Sequence, residues 1–332
     1  MPPFRQNLLR FAVLRARSLA VFIAVFVIAG WTGSWHRLPE LFSHFFLQYV
    51  LVLVPATVLL FLGRDGIWRW VALAMLGATG CAIAPFWLPA EPAPVRPESE
   101  RLRILQFNTA SRNLPLVEWL AEHRKEVDVV LVLEAGAKFR AEMQALADEF
   151  PYHLEQLDDS PFSIALMSRH PLLDARVLEI TAPYFPALQA DILLNGTVVR
   201  LIGIHPPPPV SADLAEHRNQ FMTILADRLH DEHAPGRETI IFGDFNSTVW
   251  SPHLRDFMAR TGLSDAQRGQ GAPGTWPAVT ARHSGLFGIP IDTMLVSEGL
   301  AVTKRRIGPD LGSDHLPVWT EIAFRANRPS GN

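Results

Sequence analysis

The chain has 332 residues, 48% of them hydrophobic and 19% charged, which allows one large domain plus an appendage and is apolar for a soluble protein. Residues 1–100 hold 8 of the 30 Lys and Arg and 5 of the 33 Asp and Glu, so the remainder carries 22 against 28, a formal net of −6. Nonspecific nucleic-acid binding runs on cations that displace counterions, so a net anionic domain is poorly suited to it, and only a local basic patch would serve.

The apolar excess lies in residues 18–90, where three stretches, 18–35, 41–62 and 70–89, are long and uncharged enough to cross a bilayer. Trp31, Trp35, Trp68, Trp70 and Trp87 near their ends fit an interfacial belt. A cleavable signal peptide would explain the first stretch but not two further spans behind it, and buried soluble helices are the other alternative. Arg5, Arg10, Arg15 and Arg17 precede the first span, Arg37 follows it, and Arg64 and Arg69 lie between the second and third. The positive-inside rule then places the N-terminus in the cytoplasm and, after three spans, exports the chain beyond residue 90. The expectation is a multi-pass protein of the cytoplasmic (inner) membrane with its large domain outside. The single cysteine, Cys81, falls within the third span, so the exported part has no thiol to oxidise.

Residues 91–100 read as a proline-rich linker; a dozen residues of polyproline II reach at most about 35–40 Å, which tethers the domain close to the lipid. From 101 to 325 apolar β-type runs (102–107, 127–133, 163–167, 198–204, 239–242, 291–296, 318–322) alternate with amphipathic helices (116–124, 137–149, 211–230, 251–261). That mixture indicates one α/β domain, followed by a short tail, 326–332. The sequence carries no internal repeat and no signal of oligomeric state.

Short polar tips end the apolar runs. Gly243-Asp244-Phe245-Asn246 follows 239–242, and Gly312-Ser313-Asp314-His315 precedes 318–322. Glu134 ends 129–133, Asn108 ends 102–107, and His205 ends 201–204. Singly, each reads as a turn former, a solvated carboxylate or a locally satisfied histidine. In order they form a set that one sheet edge would gather.

That ordered set, with Asp292 at the start of a strand, resembles the endonuclease/exonuclease/phosphatase superfamily, which contains DNase I, abasic-site endonucleases, sphingomyelinases and inositol-phosphate 5-phosphatases. The resemblance covers about residues 101–325. It implies a four-layer α/β sandwich of two packed mixed β-sheets, here preceded by three transmembrane helices, with a site at one edge. Carried over by position, it implies Glu134, Asn108 and Asp314 at a Mg²⁺ ion, with Mn²⁺ as an alternative. Asp244 would orient or deprotonate the attacking water and Asn246 would contact phosphate. His205 and His315 would bind phosphoryl oxygens, and Asp292 would hold His315 cationic.

Electrostatics agree with that division. Carboxylates 4 Å apart repel by about 4 kcal/mol at an effective dielectric near 20, so Glu134, Asp244 and Asp314 together must take up protons or a cation. Mg²⁺ suits one or two carboxylates plus water and substrate phosphate. Zinc is the second choice: twelve histidines are present, but none forms a His-x-x-x-His pair near a third ligand, and the domain lacks cysteine.

Two softer features are Arg218, which follows Leu214 and precedes Phe221 and Leu225 on one helical face, and Trp276, which resembles a Thr-Trp element bordering the site in this superfamily. Arg218 reads as a phosphate contact or a snorkelling side chain, and Trp276 as a substrate contact or a core aromatic. Two positions depart from the pattern: Thr293 stands where relatives often carry His or Tyr, and four prolines, 206–209, follow His205. The spans and exported domain resemble a membrane-anchored bacterial branch of the superfamily, some of whose members are associated with teicoplanin resistance. A lipid-linked phosphate or pyrophosphate at the outer face of the membrane is the leading substrate. An exported nuclease and a non-catalytic tethered binding module are the alternatives.

Overall fold

The computed structural model describes residues 3–89, 94–97, 100–112, 115–181, 185–232 and 234–326. The linker expected at 91–100 lies partly, and the tail expected at 326–332 almost wholly, outside the described residues.

The N-terminal part is helical: α1 (Pro3–Trp31), short α2 (Arg37–Leu41), a 3-10 turn (Phe42–Phe45), α3 (Phe46–Leu62) and α4 (Trp68–Trp87). Three stretches, Phe4–Trp31, Arg37–Leu62 and Trp68–Trp87, are long and apolar enough to cross a membrane. The first helix starts fifteen residues before the apolar run at 18, because arginine is a good helix former and continues the helix through Arg5, Arg10 and Arg15. Outward-facing Phe22, Val25, Ile28, Val54 and Val58 are more than two-fifths exposed, a lipid-like face rather than a soluble one. Arg17 pairs with Asp65 in the turn between α3 and α4.

The rest is two six-stranded sheets packed face to face. The first has the order β11-β12-β1-β2-β4-β3 and the second β5-β6-β7-β8-β10-β9. In the first, β1 is Leu102–Asn108, β2 Val129–Leu133, β3 Tyr152–Gln156, β4 Ile164–Ser168, β11 Leu300–Ile307 and β12 Val318–Phe324. In the second, β5 is Leu173–Glu179, β6 Pro186–Leu194, β7 Thr197–Ile204, β8 Glu238–Asp244, β9 Ser264–Asp265 and β10 Asp292–Val296. The pairs β1–β2 and β7–β8 are parallel and their neighbours antiparallel, so both sheets are mixed.

Ile104, Leu131 and Leu166 of the first sheet meet Leu188, Leu201 and Phe242 of the second in the central core. Each fully buried Leu, Ile or Phe there contributes about 1.5–3 kcal/mol. Helices α5 (Leu116–Glu122) and α6 (Phe139–Ala145) cover the first sheet, and α7 (Ala212–Asp231) and α8 (Pro252–Thr261) the second, which makes the four layers. β2 reads Val-Val-Leu-Val-Leu without alternation because both of its faces are covered. Ser211 caps α7 by accepting from Leu214 N at 3.1 Å; α8 starts Ser251-Pro252 and stops at Gly262, whose φ of 70° glycine adopts freely. A further short helix, α9, spans Ala278–Ser284.

Strands β3, β5, β6, β9 and β11 are not among the apolar runs read from the sequence. β3 and β5 lie at sheet edges and are largely exposed, so their polar composition hides them. β11 is likewise an edge strand, carrying Lys304, Arg305 and Arg306.

The domain rests on the helical part through polar as well as apolar contacts. The Trp250 ring meets Phe46 and Phe86, and its N–H donates to Ala82 O at 3.1 Å. Gly269 N and Gly271 N donate to Pro85 O and Phe86 O, and Gln48 Nε2 donates to Leu286 O and Gly288 O, each at 2.8–3.0 Å. Between α2 and α7, Glu40 and Arg218 form an ion pair at 2.5 Å with both side chains fully buried, and Ser251 Oγ donates to the other Glu40 oxygen at 2.6 Å.

Deleting one member of such a pair strands the other charge, which costs about 3–5 kcal/mol. Glu40→Ala and Arg218→Ala are each expected to lower the unfolding midpoint of the full-length protein in detergent, and Glu40→Leu with Arg218→Met together to recover most of the loss. An unmoved midpoint in both single variants would show that the pair does not hold the domain to its helices.

Candidate active site

Strand register gathers the polar tips. β1 and β2 run parallel with Asn108 beside Leu133, so Glu134 is the next residue out on the same edge. In the second sheet Ile204 pairs with Gly243, which sets His205 beside Asp244. β10 runs antiparallel to β8 with Asp292 opposite Asp244. β12 runs antiparallel to β1, so the 313–315 segment that precedes it returns over Asn108, where Ser313 Oγ donates to Asn108 O at 2.7 Å.

Gly243 has φ 140°, and a Cβ there would lie 2.1 Å from Ile204 O, so no other residue fits before Asp244. Gln106 ties the two sheets behind the site: its Nε2 donates to Gly243 O at 3.3 Å and its Oε1 accepts from Gly243 N at 3.1 Å. Glu134 (φ 52°) and Asn246 (φ 47°) both sit in the left-handed region. Each is held there: Thr109 Oγ1 donates to Glu134 O at 2.8 Å, and Asn246 N donates to Asp244 Oδ1 at 2.8 Å.

The side chains converge. Asn108 Nδ2 donates to Glu134 Oε1 at 2.9 Å and to Asp244 Oδ2 at 3.2 Å. His205 Nε2 stands 3.7 Å from both Glu134 Oε1 and Asp244 Oδ2. His315 Nε2 stands 3.7 Å from Asp244 Oδ2, while its Nδ1 lies 2.9 Å from Asp292 Oδ2. The Trp276 N–H donates to Asp314 Oδ2 at 3.3 Å. Asn246 turns its Nδ2 to Pro206 O at 2.9 Å.

Burial and charge set the protonation states. Burial, together with the Asp292 charge, pushes Asp244 up to about 7, against the pull of His315 and its hydrogen bonds. Burial also raises Glu134, opposed chiefly by the Asn108 hydrogen bond. Burial works against a charged His315, yet Asp292, Asp244 and Asp314 outweigh it and raise the imidazole to about 10. His205, buried and repelled by His315, falls to about 3 and is neutral. The site therefore holds one fixed imidazolium, one neutral imidazole and a carboxylate poised near neutrality.

The residues fit a divalent cation. Asp314 Oδ1 is buried without a partner, which leaves a carboxylate oxygen free for an ion, and burial raises the Glu134 carboxyl, an effect that a bound cation would oppose. Among the described residues, Asp244, Asp292 and His315 form a group whose ligand atoms all lie within 4.8 Å of one another. It differs from the set implied by resemblance: Glu134, Asn108 and Asp314. In that cluster Asp292 and His315 already share a proton-mediated bond, so the oxygens of Glu134 and Asp314 are better suited to a hard ion.

One expectation changes, that for Arg218. Arg218 is no substrate contact: it is fully buried, pairs with Glu40, and donates to Asn246 O at 3.2 Å, supporting the turn after Asp244 from behind. Thr293 does not line the site either; successive strand residues face opposite ways, and its hydroxyl donates to Asp265 at 3.0 Å. Trp276, by contrast, is 37% exposed and lines the cleft rather than the core.

The cleft measures about 830 Å³ and holds Glu134, His205, Asp244, Asn246, Asp314 and His315 on one side. The proline run forms part of its wall through Pro208 and Pro209, followed by Val210. Arg37, Leu41, His44 and Phe45 of the second membrane-type stretch line it too, which the sequence patterns do not predict. Their signal was present: polar and charged residues at such a stretch carry a desolvation cost that function has to justify. Arg305 was also missed; it is buried and donates to Asp292 O at 3.4 Å.

The model of the Endonuclease/Exonuclease/phosphatase family matches residues 105–315, from β1 to His315. The chain belongs to this family. Family folds with similar architecture include an endonuclease/exonuclease/phosphatase from Beutenbergia cavernae (20% identity, 68% of this chain and 72% of that one, TM-score 0.58). Others are D. rerio TDP2 complexed with single strand DNA product (16%, 68% and 99%, 0.55) and a Bacteroides vulgatus endonuclease/exonuclease/phosphatase (16%, 68% and 100%, 0.53). At these identities the likeness is one of fold. No curated protein matches the chain. Family membership makes a phosphoesterase or nuclease activity, with a divalent metal, the general expectation for this site.

Because His315 is raised above its ordinary value near 6.5, its proton stabilises the fold below that pH and the contribution is lost as pH rises toward about 10. NMR titration of the metal-free protein is expected to show His315 protonated to about pH 10, with Asp292→Asn returning it toward about 6.5. An unchanged midpoint in Asp292→Asn would remove Asp292 as the cause.

Proposed function

We propose that this chain is a membrane-anchored, Mg²⁺-dependent phosphoesterase, with Mn²⁺ able to substitute, acting on a lipid-linked phosphate or pyrophosphate at the outer face of the cytoplasmic membrane. The observation that carries the reading is the shared cleft: the phosphoester chemistry and the end of a membrane-type stretch line one cavity.

Asp244, near neutrality at its buried position, takes a proton from the attacking water, and Asn108 holds the carboxylate oriented from its far side. His315, kept cationic by Asp292, donates from Nε2 toward the phosphoryl oxygens, and neutral His205 places its Nε2 on the same oxygens from the other sheet. Asn246 holds the turn that positions Asp244, through its backbone N–H and its bond to Pro206 O. Glu134 and Asp314, with Asn108 beside them, would hold the cation, whose chemistry when bound is to polarise the P–O bond and neutralise charge on the phosphoryl oxygens. Trp276 borders the substrate space and fixes Asp314 through its N–H.

Orientation is supported by the helices. Arg17, Asp65, Arg64 and Arg69 lie toward one end of the helical part, while the domain contacts residues 40–48 and 82–86 at the other. By the positive-inside rule the arginine-bearing end is cytoplasmic and the domain is outside.

A nuclease reading draws on relatives such as TDP2 with its DNA product. Arg37 is the only Lys or Arg among the described residues that line this cleft, and a phosphate backbone calls for several cations. That favours a substrate with few charges and much apolar surface.

Asp244→Ala and His315→Ala are expected to lower phosphate release from a lipid phosphate by about 10²–10⁴-fold in protein that remains folded at the assay temperature. EDTA should abolish turnover and added Mg²⁺ restore it. Metal-dependent nicking of plasmid DNA with no release from polyprenyl pyrophosphate or phospholipid would overturn the substrate while leaving the site chemistry in place.

A further inference from the structure

We infer that the membrane anchor completes the substrate site: Arg37 and His44 form a second anion position beside the metal-type centre, and Leu41 and Phe45 lead the substrate's hydrocarbon chain from the bilayer into the cleft. This deepens the proposed function and rests on it. The substrate class it selects is a diphosphate esterified to a long alkyl or prenyl chain.

Three observations support the second anion position. Arg37 lines the cleft, is half-buried, and its side chain makes no hydrogen bond or ion pair among the described residues. Other arginines of the domain side, such as Arg103, Arg200 and Arg218, are all matched to carboxylates. His44 is 4% exposed and also lines the cleft; its Nδ1 lies 3.0 Å from Thr248 Oγ1, while its Nε2 is buried without a partner. In the tautomer in which Nδ1 accepts from the Thr248 hydroxyl, Nε2 carries the N–H and is a donor without a partner on a residue that lines the cavity. A buried donor without a partner is costly, and an anionic oxygen would satisfy it.

The position of these two groups is set by the domain contacts of the anchor. Glu40, between them in sequence, is locked to Arg218 and Ser251, and Gln48 is held by the 286–288 backbone. Arg37 and His44 are therefore fixed relative to Asp244 by the same pair that seats the domain.

The chain path rests on continuity. Leu41 and Phe45 belong to the stretch Arg37–Leu62 that is apolar enough to cross a membrane, and Phe45 is 40% exposed. Opposite them Pro208, Pro209 and Val210 form a wall, with Val210 73% exposed at its rim. An aqueous substrate gains nothing from that wall. A chain already in the bilayer reaches the cleft without leaving an apolar surface, and confinement to the same membrane raises its effective concentration.

In the reaction, the oxygen of water bonds to the terminal phosphorus as its proton passes to Asp244. The bond from that phosphorus to the bridging oxygen breaks, and its electron pair stays on the lipid monophosphate. Charge therefore builds on the phosphate nearest the chain, where Arg37 and His44 stand. Inorganic phosphate leaves, and the lipid monophosphate remains with the membrane.

Full-length protein in dodecyl maltoside micelles with Mg²⁺ would be assayed on farnesyl diphosphate, farnesyl monophosphate and isopentenyl diphosphate. The wild type is expected to prefer farnesyl diphosphate over both by at least about tenfold in kcat/KM. Arg37→Ala should collapse the diphosphate-over-monophosphate preference to near unity, with Arg37→Lys retaining most of it. Val210→Glu should instead collapse the preference for the long chain and keep that for diphosphate. Wild-type preferences that survive Arg37→Ala and Val210→Glu unchanged overturn this inference alone. No turnover of either farnesyl compound by the wild type overturns the proposed function and this inference with it.

Discussion

The site is governed by the repulsion of carboxylates, two buried (Asp244, Asp292) and two half-buried (Glu134, Asp314). Glu134, Asp244, Asp292 and Asp314 meet at one edge of the sandwich, with a single imidazolium, His315, to offset them. At an effective dielectric near 20, each close pair costs about 4 kcal/mol, so the arrangement is tolerable only if protons or a cation enter. The structure divides that load. Asp292 is neutralised by His315 at 2.9 Å, Asp244 moves to about 7, and Asp314 keeps an oxygen unpaired. A bound divalent ion, or a proton taken up by Asp244, would each relieve the same electrostatic strain.

That strain can be held because the scaffold does not relax. The acids come from both sheets, and Gln106 joins them through Gly243, whose backbone no side-chain-bearing residue could adopt there. Strand pairs place Asp292 opposite Asp244 and His205 beside it by register alone. A one-residue slip in β8 would turn Asp244 to the opposite face and dissolve the constellation.

The helical part is more than a tether. Glu40 reaches Arg218, which in turn supports the Asn246 carbonyl, and His44 reaches Thr248. Two links thus run from the membrane-type stretch to the Asp244–Asn246 turn and the segment after it. The proline run that follows His205 finds its place here as well, as a stiff wall facing that stretch.

The central strands, the ordered tips Asn108, Glu134, His205, Asp244, Asp292 and His315, and the three apolar stretches were legible in the sequence. They were legible because buried strands on both faces read as unbroken Val, Leu and Ile, and because a polar residue ending such a run interrupts a strong local pattern. The edge strands β3, β5 and β11 were hidden, since an exposed edge has no apolar period to show. The partner of Arg218 lies 178 positions away at Glu40, and a pattern with a reach of a few residues cannot report it. Sequence alone determined which chemical groups the chain possesses and the strand ends that carry them. Only the tertiary structure decided that Arg218 serves the contact with the helical part rather than the substrate, and that Arg37 and His44 share the cleft, because those assignments depend on how the helices pack against the sheet.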